Sequence, residues 1–204
     1  PVPIRFDAIE GSANGYYHNL DKEIVIKKEM SQSQTLKTAI HETAHARLHD
    51  KEIMESQGIE KDRLTKEVEA ESVAYCVCSA FELDTSEYSF PYIAGWSSGK
   101  EMRELKASMN VIRKTAGEMI DELTEKIETM LEQKQEKLLA AVEAAGYRFA
   151  KEESNSQHLQ FIPDGTHRMQ GHLFAKSWNE VERWVEAIIE KGDPIQKERV
   201  ERVI

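Results

Sequence analysis

Cysteine is scarce in this sequence: Cys76 and Cys78 are the only two among 204 residues, which excludes a disulfide framework. Two apart on a helical stretch, they face different directions and read as small buried residues, and reduced thiols suit the cytosol. There is no signal peptide and no apolar run approaching the roughly 18 residues of a membrane helix, so neither secretion nor a membrane span is indicated. Basic charge is in short supply. Lys and Arg number 27 against 37 Asp and Glu, for a net charge of −10. A broad nucleic-acid surface needs a concentrated basic patch, so no direct nucleic-acid binding is expected, although a basic protein partner stays open. A leading methionine is also missing. The chain opens Pro1-Val2-Pro3-Ile4, which reads as a domain from a longer chain with other domains as partners.

What the sequence does have is enough length for one generous domain or two small ones, and 40% hydrophobic residues to fill a core. Its most informative stretch is SQSQTLKTAIHETAHARLHD at 31–50. Ser31 followed three residues later by Gln34 is a capping-box start. Leu36, Ile40 and Leu48 recur at helical spacing, and neither Gly nor Pro interrupts the run. On a helix, residues four apart differ by about 40° in direction and about 6 Å in height. His41 and His45 therefore point the same way, at a separation where two imidazoles converge on one ion. Glu42 sits about 100° round from His41, within reach of a water at that ion without taking a coordination position. Two nitrogen ligands, a carboxylate base and room for water are what a zinc hydrolase needs. A surface helix that happens to carry two histidines gives the same short motif, so a third ligand is the deciding question.

The next helical stretch, TKEVEAESVAYCVCSAFEL at 65–83, carries Glu67, Glu69 and Glu71 among Val68, Ala70, Val73, Ala74, Cys76, Val77 and Ala80. Glu67 and Glu71 share a face, and Glu69 points roughly the other way. A carboxylate in so apolar a helix needs a reason, because burial without a partner is costly. Two on one face fit a metal ligand and a group that orients a ligating histidine. They also fit a solvated acidic edge near a helix start. His49 lies about 12 Å along the axis from His41, too far to share the ion, and reads as a helix-end histidine facing the dipole.

His41-Glu42-x-x-His45 followed by Glu67-Val68-Glu69-Ala70-Glu71 resembles the gluzincin arrangement, H-E-x-x-H and then E-x-x-x-D on the next helix. Within that group the sequence is similar to the ImmA/IrrE-type metallopeptidases and to antirestriction-protein-C-like domains of mobile elements, over roughly residues 10–130. The resemblance implies one zinc ion, with Glu67 as its third protein ligand and Glu71 bracing a histidine. Because the second carboxylate is Glu rather than Asp, the two assignments remain exchangeable. It also implies a zincin layout with a small sheet beside the active-site helix.

Elsewhere the patterning is coarser. Val2, Ile4 and Phe6 alternate, and Gly15-Tyr16-Tyr17-His18 and Glu23-Ile24-Val25-Ile26 flank a hairpin-like turn. An edge strand there suits an extended peptide, and His18 reads as part of the fold. Residues 51–64 read as a polar connection. Residues 84–99 hold Tyr88, Phe90, Tyr92 and Trp96, either walling a cleft with a tyrosine for an oxyanion or plugging the core. A long helix is expected over 100–131, with Leu105, Met109, Ile112, Ala116, Ile120, Leu123, Ile127 and Met130 on one face. EQKQEK at 132–137 marks a boundary inside or between helices. Beyond it, a helix ending at Gly146, short strands at 147–149, 159–162 and 172–174, and a helix capped by Ser177 form a small unit suited to recognition or docking. His158, His167 and His172 lack ligand spacing, and the tail from Asp193 reads as frayed.

The expected fold class is α+β. Residues 1–134 form a mostly helical zincin-like metallopeptidase domain, with a small N-terminal sheet and active-site helices, and 135–204 form a small α+β accessory module. The expected location is the cytoplasm, and the expected activity is zinc-dependent hydrolysis of peptide bonds in a specific protein substrate, with Glu42 as general base. The alternative is a non-catalytic zincin-fold binding, antirestriction or regulatory module of a mobile-element protein.

Overall fold

The computed structural model describes residues 2–84, 96–97, 100–151, 154, 158–165, 172–192 and 194–204. It is α+β and mostly helical, with two small sheets. By its contacts the chain separates into two compact units, Pro1–Leu123 and Thr124–Ile204.

In the first unit, strand β3 (Glu23–Lys27) is the centre of a three-stranded sheet, parallel to β1 (Ile4–Asp7) on one side and antiparallel to β2 (Gly15–His18) on the other. Its Ile24-Val25-Ile26 run is buried on both faces, which is why it reads as continuous rather than alternating. The hairpin expectation holds, with Gly15 opposite Ile26 and His18 opposite Glu23. His18 Nδ1 lies 2.9 Å from Asp21 in the turn.

Helix α1 (Gln32–Leu48) starts at Ser31, whose hydroxyl accepts the Gln34 N–H. A short helix that the sequence reading treated as connection, α2 (Lys51–Ser56), follows at once. Asp50 caps it by accepting the N–H groups of Glu52 and Ile53, and also receives Lys22 Nζ at 2.6 Å and the Tyr17 hydroxyl at 2.7 Å. Helix α3 (Arg63–Ala80) is capped by Asp62, which takes both the N–H and the hydroxyl of Thr65.

Helix α4 runs unbroken from Met102 to Ala144, longer than the expected 100–131. The polar 132–137 stretch lies inside it, because a solvated helix face needs no apolar residues. In the first unit Ala116 and Met119 of α4 join Ala44 of α1 and Ala70, Val73 and Val77 of α3 in one core. The expected stripe is only partly used: Met109 and Met130 are exposed. Cys76 is also exposed, against the reading of both cysteines as buried, while Cys78 is buried, and the two form no disulfide.

The second unit is an antiparallel sheet, β4 (Tyr147–Phe149), β5 (Leu159–Pro163) and β6 (Leu173–Ala175), in that order. Gly146 ends α4 with φ 93, a left-handed conformation that glycine adopts freely. The sheet packs against the end of α4 and against α5 (Trp178–Lys191) through Phe161, Leu138, Ala141, Val181 and Val185. Ser177 makes no side-chain cap bond; Glu180 instead accepts the Lys176 N–H at 2.8 Å. The tail is ordered as α6 (Pro194–Glu201), because Val200 is buried in the same core.

Candidate metal centre

The site grows from the seam between α1 and α3. Ala44 on one side and Ala70 and Val73 on the other are fully buried, and such small side chains let two helices approach closely. Closeness is what allows carboxylates on α3 to reach histidines on α1. His41 Nε2 and His45 Nε2 lie 3.1 Å apart. Glu67 Oε2 lies 3.7 Å from the first and 3.6 Å from the second. Among the described residues, this is the group of three whose donor atoms cluster as metal ligands do.

Glu71 occupies a different position. Its Oε2 is 3.0 Å from His41 Nδ1, the nitrogen facing away from the cluster. The contact is at ion-pair distance but outside hydrogen-bonding alignment, so His41 Nδ1 remains a buried atom without a hydrogen bond. Glu42 is buried beside the cluster. Burial pushes its carboxyl above the ordinary range, against the opposing pull of His41, His45 and the Tyr17 N–H. Gly15 of β2 lies beside it and fits closely against Thr38 and β3: a Cβ there would meet Thr38 Cγ2 at 2.7 Å and Val25 O at 2.8 Å, whereas Glu42 Cγ at 3.5 Å would be in ordinary contact.

His41, Glu42, His45 and Glu67 border an open cavity of about 600 Å³, whose other wall includes Gly15, Tyr16 and Tyr17 of the edge strand β2. Tyr88, Tyr92, Phe90 and His167 fall outside the described residues. Trp96 is buried and donates to Thr65 Oγ1 at 3.1 Å.

Two residues read otherwise in the sequence belong to this neighbourhood. His49 does stand at the end of α1, as its C-cap, but with more to do than face the dipole. It is buried, with Nδ1 3.0 Å from His45 Nδ1 and Nε2 2.9 Å from Glu69 Oε2. Glu69 does face away from Glu67 and Glu71, but into the protein, where its side chain is fully buried and takes Lys61 Nζ and Ser108 Oγ at 2.6 Å each. The available signal was a carboxylate flanked by Val68 and Ala70 in an otherwise apolar helix, on the face opposite Glu67 and Glu71.

The donor set fits a divalent cation. With a ring proton on Nδ1 of each histidine, two Nε2 lone pairs and a carboxylate oxygen crowd one space, and that arrangement is repulsive without a positive charge. Burial alone would lower His41, but Glu67 and Glu71 outweigh it and push the imidazole up to about 9. The two imidazoles hold Glu67 far below the ordinary carboxylate range. Tetrahedral zinc with bonds of about 2.1 Å spaces its ligands about 3.4 Å apart, and the observed separations of 3.1, 3.6 and 3.7 Å straddle that value.

The model of the Peptidase_M78 family, described as the IrrE N-terminal-like domain, matches residues 2–117. The chain belongs to this family. Those residues are therefore a metallopeptidase-type domain, in line with the resemblance drawn from the two helices. The chain is also similar to an uncharacterized protein of Bacillus anthracis, pXO2-81, with 37% identity over 106 residues. That match covers 52% of this chain but 17% of the relative, so the chain spans only a minor part of the relative's length. No solved structure matches the chain. No described helix is long and apolar enough to cross a membrane.

Proposed function

We propose that the chain is a zinc-dependent endopeptidase of the cytoplasm acting on a specific protein substrate. The observation that carries this reading is the convergence of His41, His45 and Glu67 beside a buried, unligated Glu42. His41, His45 and Glu67 would hold one zinc ion, and Glu71 would brace His41 from its far nitrogen. Bound zinc supplies Lewis acidity, which polarises the scissile carbonyl and makes water a better nucleophile. Glu42 accepts the proton of the attacking water as its oxygen adds to the carbonyl carbon. The same carboxyl then passes that proton to the departing amide nitrogen. Its burial suits the task, because a carboxyl raised above its ordinary range holds a proton more readily. The edge strand β2, unpaired on its outer side among the described residues, would align an extended peptide along the cavity by strand addition. The unit after α4 would serve recognition or docking.

The test pairs metal content with turnover. Elemental analysis should find one zinc per wild-type chain, and none in His45→Ala or Glu67→Ala. Glu42→Gln should keep its zinc while cleavage of a peptide library falls by about 10²- to 10⁴-fold. A wild-type protein that takes no zinc even when it is added back would overturn the enzyme and leave a binding module.

A further inference from the structure

We propose that Glu69, acting through His49, is a positioning residue that fixes the ring orientation and tautomer of His45. The proposal rests on the reading of His45 as a metal ligand and reaches one tier further into the protein.

The argument is a proton count along a chain of contacts. His45 turns Nε2 toward His41 and Glu67, so to ligate it must carry its ring proton on Nδ1. That Nδ1 lies 3.0 Å from His49 Nδ1, and of two ring nitrogens at this distance one donates and the other accepts. If His45 donates, His49 accepts at Nδ1 and carries its own proton on Nε2. Nε2 is the atom 2.9 Å from Glu69 Oε2, and an ionised carboxylate only accepts. Every group then has its partner. In the opposite assignment the His49 Nε2 lone pair faces the carboxylate, and the proton of His45 sits on Nε2, where it blocks ligation.

Glu69 is built to hold this direction. Its side chain is fully buried, and each oxygen is engaged: Lys61 Nζ reaches Oε2 at 2.6 Å and Ser108 Oγ donates to Oε1 at 2.6 Å. Lys61 balances the carboxylate, so His49 need not be charged. The chain of contacts draws on α1, the segment before α3, α3 itself and α4, and it gives Ser108 of the long helix a bearing on a nitrogen it never touches. A fully buried carboxylate at this position is expensive, and orientation of a ligand is a use that repays the cost.

The experiment measures zinc affinity on metal-free protein by competition with a chromophoric chelator, beside the apo melting temperature. The variants are Glu69→Gln, His49→Gln and the double, with His45→Ala as the control for the site itself. His49→Gln is the decisive one: with its amide nitrogen in the place of the ring Nε2 it keeps a donor for Glu69, but its carbonyl oxygen does not fall where the ring Nδ1 accepts from His45. Both singles should raise the zinc Kd by about 10- to 100-fold, with the apo melting temperature of His49→Gln unchanged to within a few degrees. The double should be no worse than the weaker-binding single, because both act through one chain of contacts. Cobalt-substituted His49→Gln should show a shifted visible band, as the His45 ring is no longer held. Zinc affinity within twofold of wild type in His49→Gln would overturn the positioning role and leave the metal site standing. Absence of zinc from wild type would overturn the site and this inference with it. If Glu69→Gln fails to fold, His49→Gln still decides.

Discussion

The seam between α1 and α3 and the interior of the C-terminal unit are built from opposite materials. The seam is lined by Ala44, Ala70, Val73 and Val77, with Glu42, His49 and Glu69 buried around it. The other interior is filled by Phe161, which stacks near Phe149 at 5.3 Å and Trp184 at 5.8 Å between ring centroids, with Leu138, Val181 and Val185. Large apolar side chains yield burial energy, whereas small ones let backbones approach so that short polar side chains can meet. The first unit therefore spends interior volume on geometry, and the second spends it on cohesion. Buried polar groups in the first unit are tolerated where they have partners, Lys61 and Ser108 on Glu69 in the seam and Lys22 and Tyr17 on Asp50 beyond it, and His41 Nδ1 is the exception among the described residues.

Truncating the aromatic interior should cost most. Phe161→Ala is expected to destabilise the protein by about 3–5 kcal/mol in chemical denaturation, with zinc affinity unaltered. A fall in zinc affinity alongside would mean that the two interiors are not separable. Ala70→Leu tests the seam from the other side. Overpacking should cost about 1–3 kcal/mol and, unlike Phe161→Ala, weaken zinc binding by spreading Glu67 from the two histidines.

Helix starts offer a smaller contrast. Ser31→Ala removes a hydroxyl that accepts the Gln34 N–H and should cost about 1 kcal/mol. Ser177→Ala removes a hydroxyl with no cap bond and should shift stability by less than about 0.5 kcal/mol. Equal effects in thermal melts would count against the capping geometry at both sites.

Acid should act on the polar side of the comparison first. Lys22, with Tyr17 and the Ile53 N–H, holds the Asp50 carboxyl down at about 2, against an ordinary 3.8. A depressed carboxyl contributes stability that is complete above its unfolded value and disappears as pH falls through its folded one. Wild type should therefore lose its stability advantage over Asp50→Asn between about pH 4 and pH 2. A difference that stays constant across this window would show that Asp50 is not held ionised by its neighbours.

The parts legible in the sequence were those with a short period or a sharp motif. Helical spacing placed His41 and His45 together, and the β2–β3 hairpin followed from two apolar runs about a turn. What escaped depended on contacts between distant segments. Nothing near His49 in sequence announces Glu69, and nothing near Glu69 announces Ser108, because these meet only once three helices have packed. The tail looked frayed for the same reason: its one anchoring residue, Val200, has its partners far away in the sequence. The composition of 132–137 signalled a break, yet composition alone does not end a helix when no Gly or Pro intervenes.

That uninterrupted helix has a practical consequence for anyone dissecting the molecule. The division between the two units falls after Leu123, in the middle of α4 rather than in a loop. A fragment cut there would leave the carbonyls of its last turn without N–H donors or a cap, and its new end would unwind. A protease would find no ready scissile loop at the boundary, since regular helix resists the extended conformation that cleavage requires. Limited digestion should therefore spare the stretch around 123 and nick the chain elsewhere first.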